Sequence, residues 1–194
     1  MPVVSRTACA ALIALFAAAV NAAAQTSANG PVTFFDFTFP EEIAGAQRFN
    51  VHDYEATEPG QGYSASYRQG ETTATVYIYD GGKPFILDEL QSLLVVAQLE
   101  QSRTEILRLW QEVGLKADVE ERFTIEDARG RTRFICTGFA LIGNAGPVSD
   151  TFACLGVAKN KFLKFRISTS HRKGSQADAR RFVNAWIDRL WPPM

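Results

Sequence analysis

Histidine is scarce in this 194-residue sequence, and its scarcity limits the chemistry that the chain can perform. The two histidines, His52 and His171, do not occur in an HxxxH or HExxH spacing. A metal site built on several imidazoles needs such clustered ligands, so a multi-histidine centre is excluded and catalytic zinc is disfavoured. Phosphate-binding glycine loops and haem attachment motifs are missing as well. We therefore expect no metal and no other cofactor.

A strong excess of charge of either sign is also missing. The 20 lysine and arginine residues are almost balanced by 21 aspartate and glutamate residues, and the formal net charge is −1. Nucleic-acid-binding proteins usually carry a basic surface that neutralises phosphates. We therefore expect no nucleic-acid partner.

Long apolar runs are missing after the first 24 residues. Arg6 precedes an apolar run over residues 8–20, and the alanines at 22–24 supply the small residues that a signal peptidase requires. This pattern predicts a signal peptide that is cleaved near Ala24. A retained membrane anchor is the alternative, although the run is barely long enough to span a bilayer. We expect a periplasmic or secreted protein with no stable membrane span after cleavage.

Cysteine is rare, with Cys9, Cys136 and Cys154 in the whole chain. Cleavage of the signal peptide removes Cys9 and leaves an even pair in a compartment where disulfides persist. We therefore predict a disulfide between Cys136 and Cys154. Two buried free thiols are the alternative, because cysteine packs well as a small apolar residue. The spacing is unlike a redox CxxC motif, so catalytic thiol chemistry is disfavoured.

Three consecutive strands around these cysteines form the centre of the predicted fold. They are the segments Thr132–Ile142, Thr151–Ala158 and Lys161–Ser170. Each is rich in aromatic, β-branched or small apolar residues. A two-residue turn at residues 159–160 places Cys154 opposite Phe165. If Cys136 faces Cys154, the apolar residues of all three strands share one side, so the cysteines and the hydrophobic pattern predict one register.

Small residues lie on the predicted buried side of these strands. They are Gly138, Ala140, Gly156 and Ala158. They leave a shallow strip that a helix backbone can approach closely; a ligand floor is the alternative. A last helix is predicted to begin at Gly174 and Ser175 and to end before Pro192, with an apolar stripe that includes Phe182 and Trp186. We expect this helix to lie across the strip.

An earlier group of strands precedes the central ones. They are the segments Val32–Phe39, Arg48–Tyr54, Tyr63–Arg68 and Thr72–Tyr79. The last two are predicted to form a hairpin through Gln69 and Gly70, with Tyr67 opposite Thr72. One side of the hairpin is polar enough to face water. That side consists of Ser64, Ser66, Thr73, Thr75 and Tyr77.

Tyrosines on this hairpin are the candidate binding residues. They are Tyr63, Tyr67, Tyr77 and Tyr79. Exposed tyrosines are effective contact residues at interfaces, so we predict that they contact a ligand or a partner. Cross-strand aromatic packing within the protein is the alternative.

A long helix is predicted between the two groups of strands. Asp88 is a suitable N-cap with Gln91 as its capping-box partner, and Gly114 is a stop signal. The segment 93–99 is apolar nearly all round, which is typical of a helix that is covered on more than one side or contacts a partner. A strand over Ala117–Glu126 follows and leads into the central strands.

The order of elements is four strands, a helix, four strands and a helix. It predicts an α+β domain over residues 31–194, after a flexible leader over 25–30. We expect an antiparallel sheet of about seven to eight strands in two meanders, with both helices packed on one face. This order is similar to that of the Mog1 and PsbP-like superfamily, and the resemblance implies an antiparallel α/β sandwich.

The sequence contains no recognisable catalytic residue set. Ser64 and Ser66 lie outside any GxSxG motif, and His52 and Asp53 are neighbours on a strand and point to opposite faces. We therefore predict an exported envelope protein that acts as a non-enzymatic binding module for a protein partner or a small ligand. The alternative is a hydrolase-like enzyme that uses Asp36, His52, Asp53 or a tyrosine.

Overall fold

The computed structural model describes residues 30–144, 146–170 and 174–192. The predicted signal peptide and residues 25–29 of the predicted leader lie outside the described residues. Within those ranges, the helices are too short or too polar to cross a membrane.

The described residues form short strands at the start of the chain, longer strands after them, and two helices. The strands are β1 (Val32–Phe34), β2 (Phe37–Phe39), β3 (Glu42–Ile43), β4 (Ala46–Asp53), β5 (Tyr63–Gln69), β6 (Thr72–Tyr79), β7 (Lys116–Glu126), β8 (Thr132–Gly143), β9 (Gly146–Ala158) and β10 (Lys161–Thr169). The helices are α1 (Leu93–Glu112) and α2 (Ser175–Leu190).

Eight strands form one antiparallel sheet in the order β3-β4-β5-β6-β10-β9-β8-β7, while β1 and β2 form a separate hairpin. The first meander runs from β3 to β6 and the second from β7 to β10. They join where β6 pairs with β10. The predicted α+β class and the two antiparallel meanders are confirmed. The junction makes β10 an interior strand, with neighbours on both sides.

The predicted register of the central strands is confirmed. Cys136 lies opposite Cys154, and Cys154 lies opposite Phe165. The turn at Lys159 and Asn160 has positive φ at both residues, 49° and 62°, as expected for a two-residue hairpin turn. The two sulfur atoms lie at disulfide distance, 2.01 Å apart.

The two helices pack on opposite faces of the sheet, so the prediction of one shared face is wrong. Phe182 and Trp186 of α2 pack in the same core as Phe165. Val95 and Leu99 of α1 pack with other residues of the sheet, and these residues are Tyr79, Leu155, Val157 and Phe162. The physical reason is that β9 is buried on both faces from residue 150 to residue 158. Because both faces of β9 are apolar, each face needs a packed element, and one helix covers each of them.

Aromatic rings, rather than a helix backbone, lie next to the glycines of the strip of small residues. This corrects the prediction that the last helix lies directly across the strip. A Cβ atom on Gly156 would lie 2.5 Å from the ring of Phe134, and one on Gly138 would lie 3.2 Å from the ring of Phe152. Each glycine is the cross-strand partner of the ring that covers it. The glycines therefore leave room for the large rings of their cross-strand neighbours.

Two local predictions also need correction. The segment Val32–Phe39 is two strands, because Phe35 and Asp36 have positive φ and form a turn. The N-cap of α1 is Ser92, whose hydroxyl accepts a hydrogen bond from the Val95 amide, rather than Asp88. Asp88 instead lies 3.6 Å from Arg133 in an ion pair.

The β5–β6 hairpin turns one residue later than predicted. Gln69 pairs with Thr72, so Tyr67 lies opposite Ala74 rather than Thr72. The shift moves the register by two residues and leaves every side chain on its predicted face, because successive side chains alternate with a period of two.

Candidate ligand-binding cleft

A cleft of about 800 Å³ lies between α1 and the sheet. The sheet contributes residues of β6 and β10, α1 contributes one wall, and the segments before β5 and after β6 form the rim. The lining includes Tyr77, Tyr79, Lys164, Arg166, Ala97 and Glu105.

The cleft exists because α1 covers only part of its face. Its contacts are concentrated on β9 and β7, at one side of the sheet. The uncovered side is polar, with Ser64 opposite Tyr77, Ser66 opposite Thr75, and Tyr77 opposite Lys164. A helix with an apolar stripe packs where the sheet is apolar and leaves the polar strands open.

Lys164 lies at the floor of this cleft. Its side chain is 22% exposed, and its ammonium nitrogen is 3.7 Å from the nearest carboxylate oxygen of Glu105. The same nitrogen lies 5.0 Å from the ring centre of Tyr77 and 5.5 Å from that of Tyr79. Burial lowers the pKa of Lys164, and the nearby Glu105 carboxylate opposes this effect.

Arg166 lies two residues further along β10 and shares the face of Lys164. Its guanidinium carbon lies 5.6 Å from the ring centre of Trp110. Within the described residues, no hydrogen bond or ion pair involves this guanidinium group. Burial lowers the pKa of Arg166, while Tyr77 and Glu105 act in the opposite direction.

The predicted tyrosines are divided between the two faces of the sheet. Tyr77 and Tyr79 line the cleft. Tyr63 stacks on Phe34 at 3.8 Å, and Tyr67 is fully buried on the α2 face, where its hydroxyl donates to the Pro40 carbonyl oxygen. The four tyrosines therefore do not form one surface. A contact role for Tyr77 and Tyr79 stays a prediction.

Burial raises the pKa of both cleft tyrosines. Their hydroxyl groups therefore stay protonated at neutral pH, and each offers a donor and an acceptor.

An ion pair closes one end of the cleft. Lys161 donates to the Asp80 carboxylate at 2.5 Å, and the Gly82 amide donates to the other oxygen of that carboxylate at 2.8 Å. Burial alone would raise the pKa of Asp80, but the hydrogen bonds from Lys161 and Gly82 hold it below its usual value. Asp80 is therefore a fixed anion at the rim.

The side chains of the enzymatic hypothesis lie apart from the cleft. Asp36 lies in the exposed turn between β1 and β2, and His52 packs on Tyr54 with ring centres 4.1 Å apart. The Asp53 carboxylate accepts a hydrogen bond from the Ala56 amide. None of the three aspartate and histidine side chains is among the described residues that line the cleft. In the same ranges, no group of three or more His, Cys, Asp or Glu residues is placed to hold a metal ion.

Exposed apolar side chains precede and begin α1. We call residues 85–96 the apolar segment, because Phe85 is 65% exposed and Leu93 is 89% exposed. Leu94 belongs both to this segment and to the cleft lining. The apolar segment therefore borders the cleft.

The sequence reasoning missed Lys164 and Arg166 as site residues. A signal was present, because they alternate with the apolar Leu163, Phe165 and Ile167 in the last of the three predicted central strands. Cations on an interior strand of a sheet are unusual, since lysine and arginine are rarely buried without a partner.

Comparison with protein-family models and with curated protein sequences found no match. Among solved structures, the chain is similar to the solution structure of cyanobacterial PsbP (CyanoP) from Synechocystis sp. PCC 6803. The TM-score is 0.47 and the sequence identity is 12%, and the match covers 77% of this chain and 82% of that chain. At these values the likeness supports no argument about function, and the resemblance to the Mog1 and PsbP-like superfamily stays a prediction.

Proposed function

We propose that the protein is an exported, non-enzymatic binding module that holds a small ligand in the cleft between α1 and the sheet. The observation that carries this proposal is the cleft itself, with a volume of about 800 Å³ and walls that include Tyr77 and Tyr79. Pockets that bind small molecules commonly measure about 300–1,000 Å³ and combine aromatic walls with a few polar groups.

Export to the periplasm is part of the proposal. It is supported by the signal-peptide pattern before Ala24 and by the sulfur atoms of Cys136 and Cys154, which lie at disulfide distance. The mass of the protein recovered from a periplasmic fraction tests it. We expect a chain that begins close to residue 25 and contains no free thiol, whereas a full-length chain in the membrane fraction would contradict export by cleavage.

A binding role is favoured over hydrolysis because Asp36, His52 and Asp53 are not gathered in the cleft. General acid–base catalysis requires such groups within hydrogen-bond reach of one bound substrate. A hydrolytic activity that disappears when one of the three is replaced would contradict this choice.

The ligand-binding role can be tested by filling the cleft. Ala97 is an exposed alanine on its α1 wall, so Ala97→Trp places a large ring in the space. Ala128→Trp is the matched control, because Ala128 is an exposed alanine in the turn between β7 and β8. Both variants should keep the far-ultraviolet circular dichroism of the wild type.

We expect native mass spectrometry of protein taken from periplasmic extract to find a small molecule on the wild type and on Ala128→Trp. Ala97→Trp should lose it, because the indole ring occupies the same volume. Equal retention by Ala97→Trp, or a wild-type protein that carries no small molecule, would reject the cleft as a ligand site.

A protein partner is the second candidate, and the exposure of the apolar segment favours it. Exposed apolar side chains that are close together often mark contact surfaces. Leu93→Ser should then remove a crosslinked partner from periplasmic extract, while Ala97→Trp keeps it. If Leu93→Ser retains every crosslinked species, the apolar segment is not the contact surface.

A further inference from the structure

We infer that the cleft is an anion-binding site whose ligand is a small organic anion, with its acidic group against Arg166 and Lys164 and its apolar body along Tyr77 and Tyr79. This inference rests on the proposed ligand-binding role and names the chemical class of the ligand. Four observations support it.

The first observation is the balance of charge at the floor. Lys164 and Arg166 lie on the same face of an interior strand, and Glu105 is the carboxylate that acts on both. Glu105 is 3.7 Å from Lys164, and its side chain is 45% exposed on the edge of α1. One half-exposed carboxylate therefore faces two cations, which leaves a net positive charge at the floor of the cleft.

The second observation is the pairing of two other partly buried cations on the strands of the sheet. Arg133 is 11% exposed and pairs with the Asp127 carboxylate at 2.8 Å. Lys161 is 16% exposed and pairs with Asp80 at 2.5 Å. Each thus has a carboxylate at hydrogen-bonding distance, as expected for charges that are removed from water. Arg166 differs from both, because its guanidinium group has no such partner among the described residues.

The third observation is the shape of the unpaired group. A guanidinium carries five N–H donors in a planar fork, which suits a carboxylate or phosphate that binds through two oxygens. The guanidinium carbon lies 5.6 Å from the ring centre of Trp110, and this cation–π contact gives none of the N–H donors an oxygen acceptor. The adjacent ammonium group of Lys164 adds a second positive charge that can contact the same anion.

The fourth observation is the aromatic wall beside the cations. The rings of Tyr77 and Tyr79 both lie within 5.5 Å of the Lys164 ammonium nitrogen. A ligand whose acid group contacts the Lys164 ammonium therefore lies beside these rings. The cleft thus favours an anion with an apolar or aromatic body over an inorganic ion.

A pair of fluorescent probes tests the inference. Anilinonaphthalene sulfonate is an aromatic anion, and phenylnaphthylamine has the same ring system without the sulfonate. We expect the wild type to bind the sulfonate at least about tenfold more tightly than the neutral probe, with an affinity that falls as NaCl is raised. Leu93→Ser is the control for binding of either probe at the apolar segment. The affinity that it loses relative to the wild type is the part that does not come from the cleft.

Substitutions of the residues at the floor of the cleft then test whether their charge, rather than the shape of the cleft, determines the affinity for the sulfonate probe. Arg166→Met and Lys164→Met should each weaken sulfonate binding by about tenfold and leave the neutral probe unchanged. Glu105→Gln should strengthen sulfonate binding several-fold, because it removes the competing carboxylate. Arg166→Lys should give an intermediate affinity, and it keeps the test open if Arg166→Met does not fold. Arg129→Met, at an exposed arginine in the β7–β8 turn, is the matched control and should bind like the wild type.

The outcomes distinguish the two proposals. If Ala97→Trp abolishes sulfonate binding but Arg166→Met and Lys164→Met do not alter it, the cleft binds ligands and the anion inference is overturned. If Ala97→Trp binds both probes like the wild type, the ligand-binding role of the cleft fails as well. Equal affinity of the wild type for the two probes would also overturn the inference.

Discussion

The two faces of strand β10 differ sharply in burial and charge. On the α2 face, Leu163, Phe165 and Ile167 are fully buried among aromatic rings. On the α1 face, Lys164 and Arg166 lie at the floor of an open cleft. The backbone is the same and its hydrogen bonds are the same, so the difference lies entirely in alternate side chains.

The two faces of β10 therefore contribute differently to the protein. The α2 face supplies stability, because burial of large rings is the main favourable term in folding. The α1 face contains charges whose burial costs free energy unless a partner compensates them. Residues that lower stability in this way are common at binding sites, where function rather than folding requires them.

The largest expected effect comes from breaking the α2 face. Phe165 packs edge-on against Phe134, Phe182 and Trp186. Phe165→Ala should lower the free energy of unfolding by about 3–5 kcal/mol, because it leaves a cavity in a fully packed core. Urea unfolding followed by tryptophan fluorescence measures the loss. A loss below about 1 kcal/mol would show that this face is not the main source of stability.

The second effect concerns the cysteine pair, which belongs to the same face. Cys136 and Cys154 are fully buried and 18 residues apart in the sequence. Replacing both by alanine should lower the free energy of unfolding by about 3 kcal/mol, because the cross-link restricts the unfolded chain. The same urea experiment with and without a reducing agent provides the comparison. If the reductant has no effect on the wild type under conditions that expose the bond, the cross-link does not contribute.

The third prediction concerns the α1 face, where a substitution should not lower the free energy of unfolding. Arg166→Met should leave the free energy of unfolding unchanged or raise it by roughly 1 kcal/mol, since it removes a poorly compensated buried charge and keeps the length of the side chain. Phe165→Ala, one position away on the other face, is the contrast. A loss of several kcal/mol in Arg166→Met would show that the guanidinium group is structural.

The smallest effect concerns the ion pair at the rim of the cleft. Asp80→Asn should lower stability at neutral pH by roughly 0.5 kcal/mol, since the pair is close to the surface. The folded-state pKa of Asp80 is lowered below the ordinary value of 3.8. Its contribution is therefore present above about pH 4 and lost as the pH falls through the folded-state pKa. The stability difference between the variant and the wild type should shrink below pH 4 in an acid titration, and a constant difference would contradict the assignment.

The regular parts of the fold were predictable from the sequence. Two-residue periodicity and the turn at residues 159–160 predict the register that places Cys136 beside Cys154, because both signals are local. The hairpin after Tyr67 turns one residue later than predicted. Its side chains still lie on the predicted faces, because the register shift is two residues and side chains alternate with a period of two. The turn inside Val32–Phe39 was missed, since positive φ at Phe35 contradicts the usual preference of an aromatic residue.

The candidate site was predictable only in part. Tyr77 and Tyr79 were proposed as contact residues and do line a cleft, whereas Tyr63 and Tyr67 lie on the other face. Lys164 and Arg166 were missed, because their importance depends on what covers them. A cation on a strand is solvated if the face is open and costly if a helix lies above it.

The strands, the two meanders and the sets of side chains that share a face could be read from the chain alone, because they follow from alternation and turn chemistry along short stretches. Two features became visible only in the folded protein: α1 and α2 cover opposite faces of the sheet, and α1 does not extend over the polar strands. Both features depend on which apolar surfaces of the helices and the sheet pack against each other, and these surfaces are far apart in the sequence. The cleft, and the cations at its floor, result from that incomplete match.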